Sequence, residues 1–186
     1  MIEPTATRTL EIVEESRMAP EMDILLRQLL VACFSPNDAS FFVKSRYWHG
    51  SAPEYSVIGR VNGEIRAHVG VVVRQIRCNG TQVRIGGIQN ACAHPACRGQ
   101  NLGVWVLRAA MEEMPRRTVS FGMLFCLPEL ERYYASLGWI ATREPVTMCM
   151  DGGADEPIPG KNSCMYWSPR GESLPPGPIH LQGADW

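Results

Sequence analysis

The stretch Ile88–Met114, IQNACAHPACRGQNLGVWVLRAAMEEM, decides the fold. Its first part, through Ala93, is a strand-type run. From Leu102 onward Leu102, Trp105, Val106, Ala109 and Ala110 share one helical face until Pro115 stops it. Between the two lies CRGQNLG, Cys97–Gly103. Gly99 and Gly103 remove side chains where a ligand or another backbone must come close, and a helix opening near Asn101 offers unpaired N–H groups with a partial positive charge. Such a joint suits a phosphate, and Arg98 adds a full charge for the same anion. The Gly-Lys-Ser/Thr ending of a nucleoside-triphosphate loop is missing. Glycine turns with no ligand are about as common, so this stretch alone leaves both readings open.

Upstream, two Asn-Gly pairs stand between strand-type runs, in YSVIGRV-NG-EIRAHVGVVVRQI and RC-NG-TQVRIGGIQNACAH. Asn-Gly suits a tight type I′ turn, so three antiparallel strands lead into the joint. Before them TRTLEIVE reads as a first strand, and Met22, Leu25, Leu26, Leu29, Leu30 and Cys33 recur at helical spacing behind Pro20. SPNDAS breaks that helix, and FFVKSRYWHGSAPE suits a loop with a short helical turn. Downstream come a strand, TVSFGMLFC, a short helix, PELERYYASLG, with Gly138 as its stop, and a strand, REPVTMCM. The predicted order is βαβββαβαβ. Residues 151–162 are rich in Gly, Pro and acids and predict a mobile loop, and the tail, residues 174–186, predicts one short last strand.

Composition narrows the chemistry. With 186 residues, 45% hydrophobic and 20% charged, the chain suits one soluble domain spanning residues 1–186. A net charge of −1 with scattered basic residues argues against nucleic acid and against a polybasic membrane surface. Seven cysteines with no CxxC pair argue for free thiols in a reducing compartment and against a zinc site, so no metal is expected. Neither a signal-peptide pattern nor an apolar run of membrane-spanning length is read, which makes the cytoplasm the expected location.

The strand IQNACAHP, the loop CRGQNLG with its helix, the next strand and then ERYYASLGW resemble the core of the GCN5-related N-acetyltransferase (GNAT) superfamily. The resemblance implies an α/β (α+β) fold with a mixed central sheet of six to seven strands and about four helices. It also implies acetyl-CoA as co-substrate and a small-molecule amine as acceptor; homodimers are frequent in related enzymes. Two branches look nearest. SRYWHGSAPEYSVIGRVNGEIRAHVGVVVRQIRCNG and LPPGPIHLQGADW resemble the rhizobial nodulation N-acyltransferases (NodA), which place a fatty acyl chain on the free amine of a chitin oligosaccharide. AHVGVVVRQI, CRGQ, RYYASLGW and the terminal Trp are similar to aminoglycoside 2′-N-acetyltransferases. Both acceptors are amino sugars.

Carried over residue by residue, the resemblance puts the backbone of Ala91 and Ala93 beside the pantetheine arm, where a bulge in the strand would free peptide groups for it. Arg98, Gly99, Gln100, Asn101, Leu102 and Gly103 then cover the pyrophosphate. Asn101 departs from the glycine of many members, and Asn tolerates a left-handed backbone better than most residues. Tyr134 falls on the tyrosine that protonates the departing thiolate, a task that fits a phenol. Where the aminoglycoside enzymes carry a glutamate this chain has Gln89, then Asn90, and neither amide is a base; they can orient water or acceptor. Glu54, His68, His94, Asp185 and the terminal carboxylate of Trp186 are the candidate bases. The last two are preferred because the resembling enzymes grip a cationic acceptor with an acidic tail ending in Trp. Trp48 is a candidate acceptor wall, and His68, in a run of apolar alternation, reads as a hydrogen-bonded core histidine. Acetyl transfer to an amino sugar or aminoglycoside-like amine is the expected function. Transfer of a longer acyl chain and a catalytically silent CoA-binding module are the alternatives.

Overall fold

The structure is a computed structural model that describes residues 6–150, 153–159 and 162–186. In chain order its elements are β1 (Arg8–Glu14), α1 (Pro20–Cys33), α2 (Pro36–Phe42), β2 (Tyr55–Val61), β3 (Glu64–Cys78), β4 (Thr81–Ala93) and α3 (Leu102–Glu113). There follow β5 (Phe121–Cys126), α4 (Glu131–Ala135), β6 (Ile140–Ala141), β7 (Val146–Cys149), β8 (Asp155–Pro157), β9 (Ser163–Trp167) and β10 (Ile179–His180). Two compact units are distinguished. The first comprises the residues up to Arg46 with Glu54–Gly70 and Asn90–Ala110; the second comprises Tyr47–Pro53, Val71–Gln89 and Met111–Trp186. β3 and β4 each run through both.

In the first unit β1 pairs antiparallel with β2, from Arg8 against Val61 to Glu14 against Tyr55. The turn from β2 to β3 has Asn62 at φ 51° and Gly63 at φ 83°, the paired positive values that a type I′ turn demands. Leu26, Leu29 and Leu30 bury the inner face of α1, and Phe34 meets Phe42 of α2 with ring centroids 4.9 Å apart. On β2, Gly59 lets α3 come close: a Cβ there would lie 2.9 Å from Val106 Cγ1. SPNDAS, expected only to break α1, also starts α2. Ser35 accepts a hydrogen bond from the Asp38 amide and Pro36 occupies the first turn, so a break and a start coincide.

In the second unit Asn79 (φ 46°) and Gly80 (φ 81°) repeat the turn between β3 and β4. The strand order is β6-β9-β5-β4-β3-β10-β7-β8. β4 is parallel to β5 from Ile85 to Ile88, β5 is antiparallel to β9, and β10 is parallel to β7 but antiparallel to β3. The core gathers Ile76, Ile85, Met123, Ile179, Leu181 and Trp186. Helix α4 ends before Gly138 (φ 91°), whose amide donates to the Ala135 carbonyl, as its stop signal predicts.

The sheet is mixed and the described residues form four α-helices, as expected, but ten strands replace the predicted six to seven. The additional ones are β6, β8 and β9, short segments; β8 pairs with the neighbouring β7, while β6 and β9 find partners farther along the chain. β9, for example, runs beside β5 with Phe125 opposite Cys164. The predicted last strand is β10. Of the segment read as a loop, Asp155–Pro157 forms β8 against β7, while residues 151, 152, 160 and 161 lie outside the described residues. No helix among the described residues is long and apolar enough to cross a membrane.

Candidate active site

The β4–β5 ladder ends at Ile88. Two residues on, Asn90 has φ 51°, a left-handed residue inside a strand. A non-glycine residue there is strained by ~1–2 kcal/mol and persists only where its surroundings hold it. Here they do. The Asn90 side-chain amide donates to the Arg46 carbonyl at 2.6 Å, and the Asn90 carbonyl accepts from His68 Nδ1 at 3.2 Å. Arg46 is itself buried, gripped by Glu15 and, at 2.6 Å, by Asp23. Burial alone would raise the Asp23 carboxyl, but Arg46 and Arg27 overcome it and hold Asp23 below its ordinary value. The left-handed backbone of Asn90 therefore rests on a buried scaffold. Ala91 and Ala93 follow it, half-buried.

His68 is the core histidine of that scaffold. Its Nδ1 must carry the proton to serve Asn90, so Nε2 accepts from the Ser56 hydroxyl at 3.1 Å. Burial is the main reason its pKa falls to about 4, with the nearby Arg46 charge adding to it. With both nitrogens engaged and the ring buried, His68 is not available as a base. His94 is also occupied: its Nδ1 accepts from the Ala96 amide and starts the single turn Pro95–Cys97.

The loop then opens. Arg98, Gly99, Gln100 and Asn101 are exposed, with Gly99 at φ 77° and Asn101 at φ 57°. A Cβ on Gly99 would meet nothing within 4 Å. Leu102 is buried as an anchor and Gly103 is half-buried, while the Asn101 carbonyl already accepts the first helical bond, from Trp105. The amides of Leu102, Gly103 and Val104 in the first turn of α3 thus have no acceptor within the helix. Alternating left-handed residues at a helix start make an anion-binding concavity. Its fit to a diphosphate is the open space before Gly99. Beside this stretch the half-buried Cys92 thiol is pushed well above its ordinary pKa, first by the Cys33 thiol and then by desolvation, so it is poorly suited to form an acyl-cysteine.

In the second unit, Tyr134 on α4 is half-buried, with ring contacts to Tyr133 (centroids 5.0 Å) and Trp139 (6.4 Å). Burial raises its phenol pKa, with the neighbouring Tyr133 and Cys126 contributing, so the group holds its proton through the neutral range. Gln89 is buried; its Nε2 donates to the Ser51 carbonyl at 2.9 Å, while its Oε1 is buried with no partner among the described residues. Trp186 lies against Gly87, where a Cβ would be 2.3 Å from its Cε2, and meets Phe125 at 5.0 Å. Its indole Nε1 is likewise buried without a partner among the described residues. Arg74 lies 5.2 Å over that ring. Asp185 is buried and its carboxylate pairs with His49. Trp48 opens the turn Trp48–Gly50 and is half-buried, and Glu54 is exposed.

The spacing of residues in the sequence did not disclose His49. The sequence separates it from Asp185 by 136 residues, and no motif links them. Cys149, Asp155 and His180 also offer donor atoms within 4.8 Å of one another. That group is satisfied internally, because His180 Nδ1 accepts from the Gln182 amide and Nε2 donates to Asp155 at 2.9 Å, leaving the imidazole no free lone pair for a cation.

The family model for nodulation protein A (NodA) matches residues 9–152. Solved structures share the architecture at low identity. The GNAT family N-acetyltransferase YhbS from Escherichia coli, in complex with CoA, is 12% identical, with a TM-score of 0.68 over 98% of this chain and 93% of that one. A GNAT family acetyltransferase from Brucella melitensis, in complex with acetyl-CoA, is 16% identical, with a TM-score of 0.60 over 95% and 97%. An acyl-CoA N-acyltransferase from Pseudomonas aeruginosa is 15% identical, with a TM-score of 0.62 over 87% and 100%. The fold is that of the GNAT proteins.

Proposed function

This chain belongs to the nodulation protein A family, and from that premise we propose that it is an N-acyltransferase moving an acyl group from a coenzyme A thioester to a primary amine of an amino sugar. The observation that carries the reading is the outward-open turn Arg98–Asn101, with left-handed Gly99 and Asn101, at the start of α3. Arg98 and the amides of Gly99 and Asn101–Gly103 would hold the pyrophosphate by charge-assisted hydrogen bonds, the Gln100 amide being committed to the Cys97 carbonyl. The peptide groups of Ala91 and Ala93, beyond the left-handed Asn90, would pair with the pantetheine arm.

The chemistry is direct attack. The neutral amine adds to the thioester carbonyl, the C–N bond forms, and the C–S bond breaks as the adduct collapses. The nitrogen of an alkylammonium must shed two protons to become an amide. One is removed before attack; the other is balanced by the proton that Tyr134 gives the leaving sulfur, the phenolate being neutralised again from the nitrogen or solvent. A phenol held protonated by burial suits that donor role. Gln89, with an unpartnered buried Oε1, and Asn90 would orient the acceptor, with Trp48, Asp185 and Trp186 on the acceptor side.

Two donors are distinguished by experiment. Acetyl-CoA is the expected donor, and neighbours of the same fold bind CoA or acetyl-CoA. Family membership favours the second reading, a longer acyl chain on an amino sugar. A thiol-release assay with acetyl-CoA and longer acyl-CoAs against glucosamine, chitosan oligomers and aminoglycosides decides between them. Tyr134→Phe should lower kcat by ~10²–10⁴-fold with little change in donor KM. Donor binding without turnover on any amine would refute the enzymatic reading in favour of a silent binding module.

A further inference from the structure

From the pairing of His49 with Asp185 we infer that His49 is the base that removes the first proton from the acceptor's ammonium group, an assignment that rests on the acyl-transfer reading above. An alkylammonium has a pKa near 10 and needs an acceptor of its proton before it can attack. The residues at the centre of β4, Gln89 and Asn90, cannot serve. Of the four histidines, His68, His94 and His180 each have Nδ1 committed to a backbone group, and the second nitrogens of His68 and His180 are committed as well.

His49 differs. Its Nδ1 faces the Asp185 carboxylate, which fixes the proton on Nδ1 and leaves Nε2 as an acceptor with no protein partner among the described residues. The imidazole is 41% exposed while Asp185 is 10% exposed, so the carboxylate is sheltered and the ring reaches solvent. Both belong to a hydrogen-bonded frame. The Ser51 hydroxyl donates to the Asp185 carbonyl at 2.8 Å, Arg74 donates to the Ala184 carbonyl at 2.8 Å and to Ser51 Oγ at 3.0 Å, and Gln89 holds the Ser51 carbonyl. Arg74 thus donates to neutral oxygens, its charge also interacting with Asp185, while the carboxylate's hydrogen bond goes to the histidine.

His49 also sits at φ 47°, a left-handed conformation that a histidine adopts at a cost and that this frame sustains. It lines a cavity of about 350 Å³ together with Ser51, Arg74, Cys149 and Gly183. In the step assigned here, Nε2 takes a proton from R–NH3+, the imidazolium is stabilised by Asp185, and the freed lone pair attacks the carbonyl. The imidazolium then returns its proton to solvent.

The test uses the full chain with the best thioester and amine from the thiol-release panel. His49→Ala should lower kcat by ~10²-fold or more without raising donor KM, and added imidazole should restore part of the loss, which no purely structural role would allow. Asp185→Asn should lower kcat by ~10-fold or more, with circular dichroism like the parent's. A parent that turns over while His49→Ala keeps its kcat overturns the assignment and leaves the acyltransferase reading standing. A folded His49→Ala that is slow and is not rescued by imidazole also overturns it. A parent with no turnover on any pair overturns both.

Discussion

Acid should weaken this protein through one residue, His68. The ring is buried, with a pKa of about 4 against an ordinary 6.5. Between those values the unfolded chain binds a proton that the folded one refuses, so the stabilisation is complete above about pH 6.5 and drains away as the pH falls toward 4. At 1.36 kcal/mol for each pH unit the gap corresponds to about 3 kcal/mol, a large part of the ~5–15 kcal/mol that holds a typical domain folded. The assay is urea denaturation followed by tryptophan fluorescence at half-unit intervals from pH 7.5 to 4.5, on the parent and on His68→Gln. The glutamine should be less stable at neutral pH, because it must replace both the bond to the Asn90 carbonyl and the bond from the Ser56 hydroxyl. Its curve should nonetheless be flatter, and the difference between the curves should shrink by roughly 1 kcal/mol per pH unit below 6.5. The other three histidines and the carboxylates cancel in that difference. Parallel curves, or an NMR titration of His68 with a midpoint near 6.5, would refute the reasoning.

Two further predictions follow from contacts. Gly87→Ala should dislodge the Trp186 ring, whose Cε2 would lie 2.3 Å from the new methyl carbon, costing ~1–3 kcal/mol and altering near-ultraviolet circular dichroism; an unchanged spectrum would show that the ring yields freely. Arg46→Ala strands the Glu15 and Asp23 carboxylates that it joins and should cost ~2–3 kcal/mol by denaturation, less than a fully buried pair because both acids are partly exposed; a loss below ~0.5 kcal/mol would mark the pairs as inert.

The sequence disclosed most where local chemistry and final geometry agree. Both Asn-Gly turns have the positive φ values that those residues favour, and Gly138 follows α4 as a stop should. The joint at Cys97–Gly103 was legible for the same reason, since glycine and asparagine mark left-handed positions wherever the chain later packs. The bulge expected beside Ala91 was a reading from family likeness; the left-handed backbone of Asn90 depends on Arg46 and His68, remote partners that no window of the sequence contains. β9 was missed because SCMYW is short and acquires its register from β5 and β6. The His49–Asp185 pair was hidden by distance along the chain, and with it an imidazole that has a carboxylate behind it and, among the described residues, an uncommitted nitrogen in front.

The left-handed asparagine in β4 makes distant substitutions matter. Asp23 on α1 holds the Arg46 side chain, Arg46 offers its carbonyl to Asn90, and Asn90 sets the course of the strand into Ala91 and Ala93. On the proposed function, a change at a partly exposed helical acid should therefore register as weaker thioester affinity, though the acid itself lies outside the proposed site. Related chains that lose one member of this trio should replace the others in step, a covariation to be read as mechanical linkage.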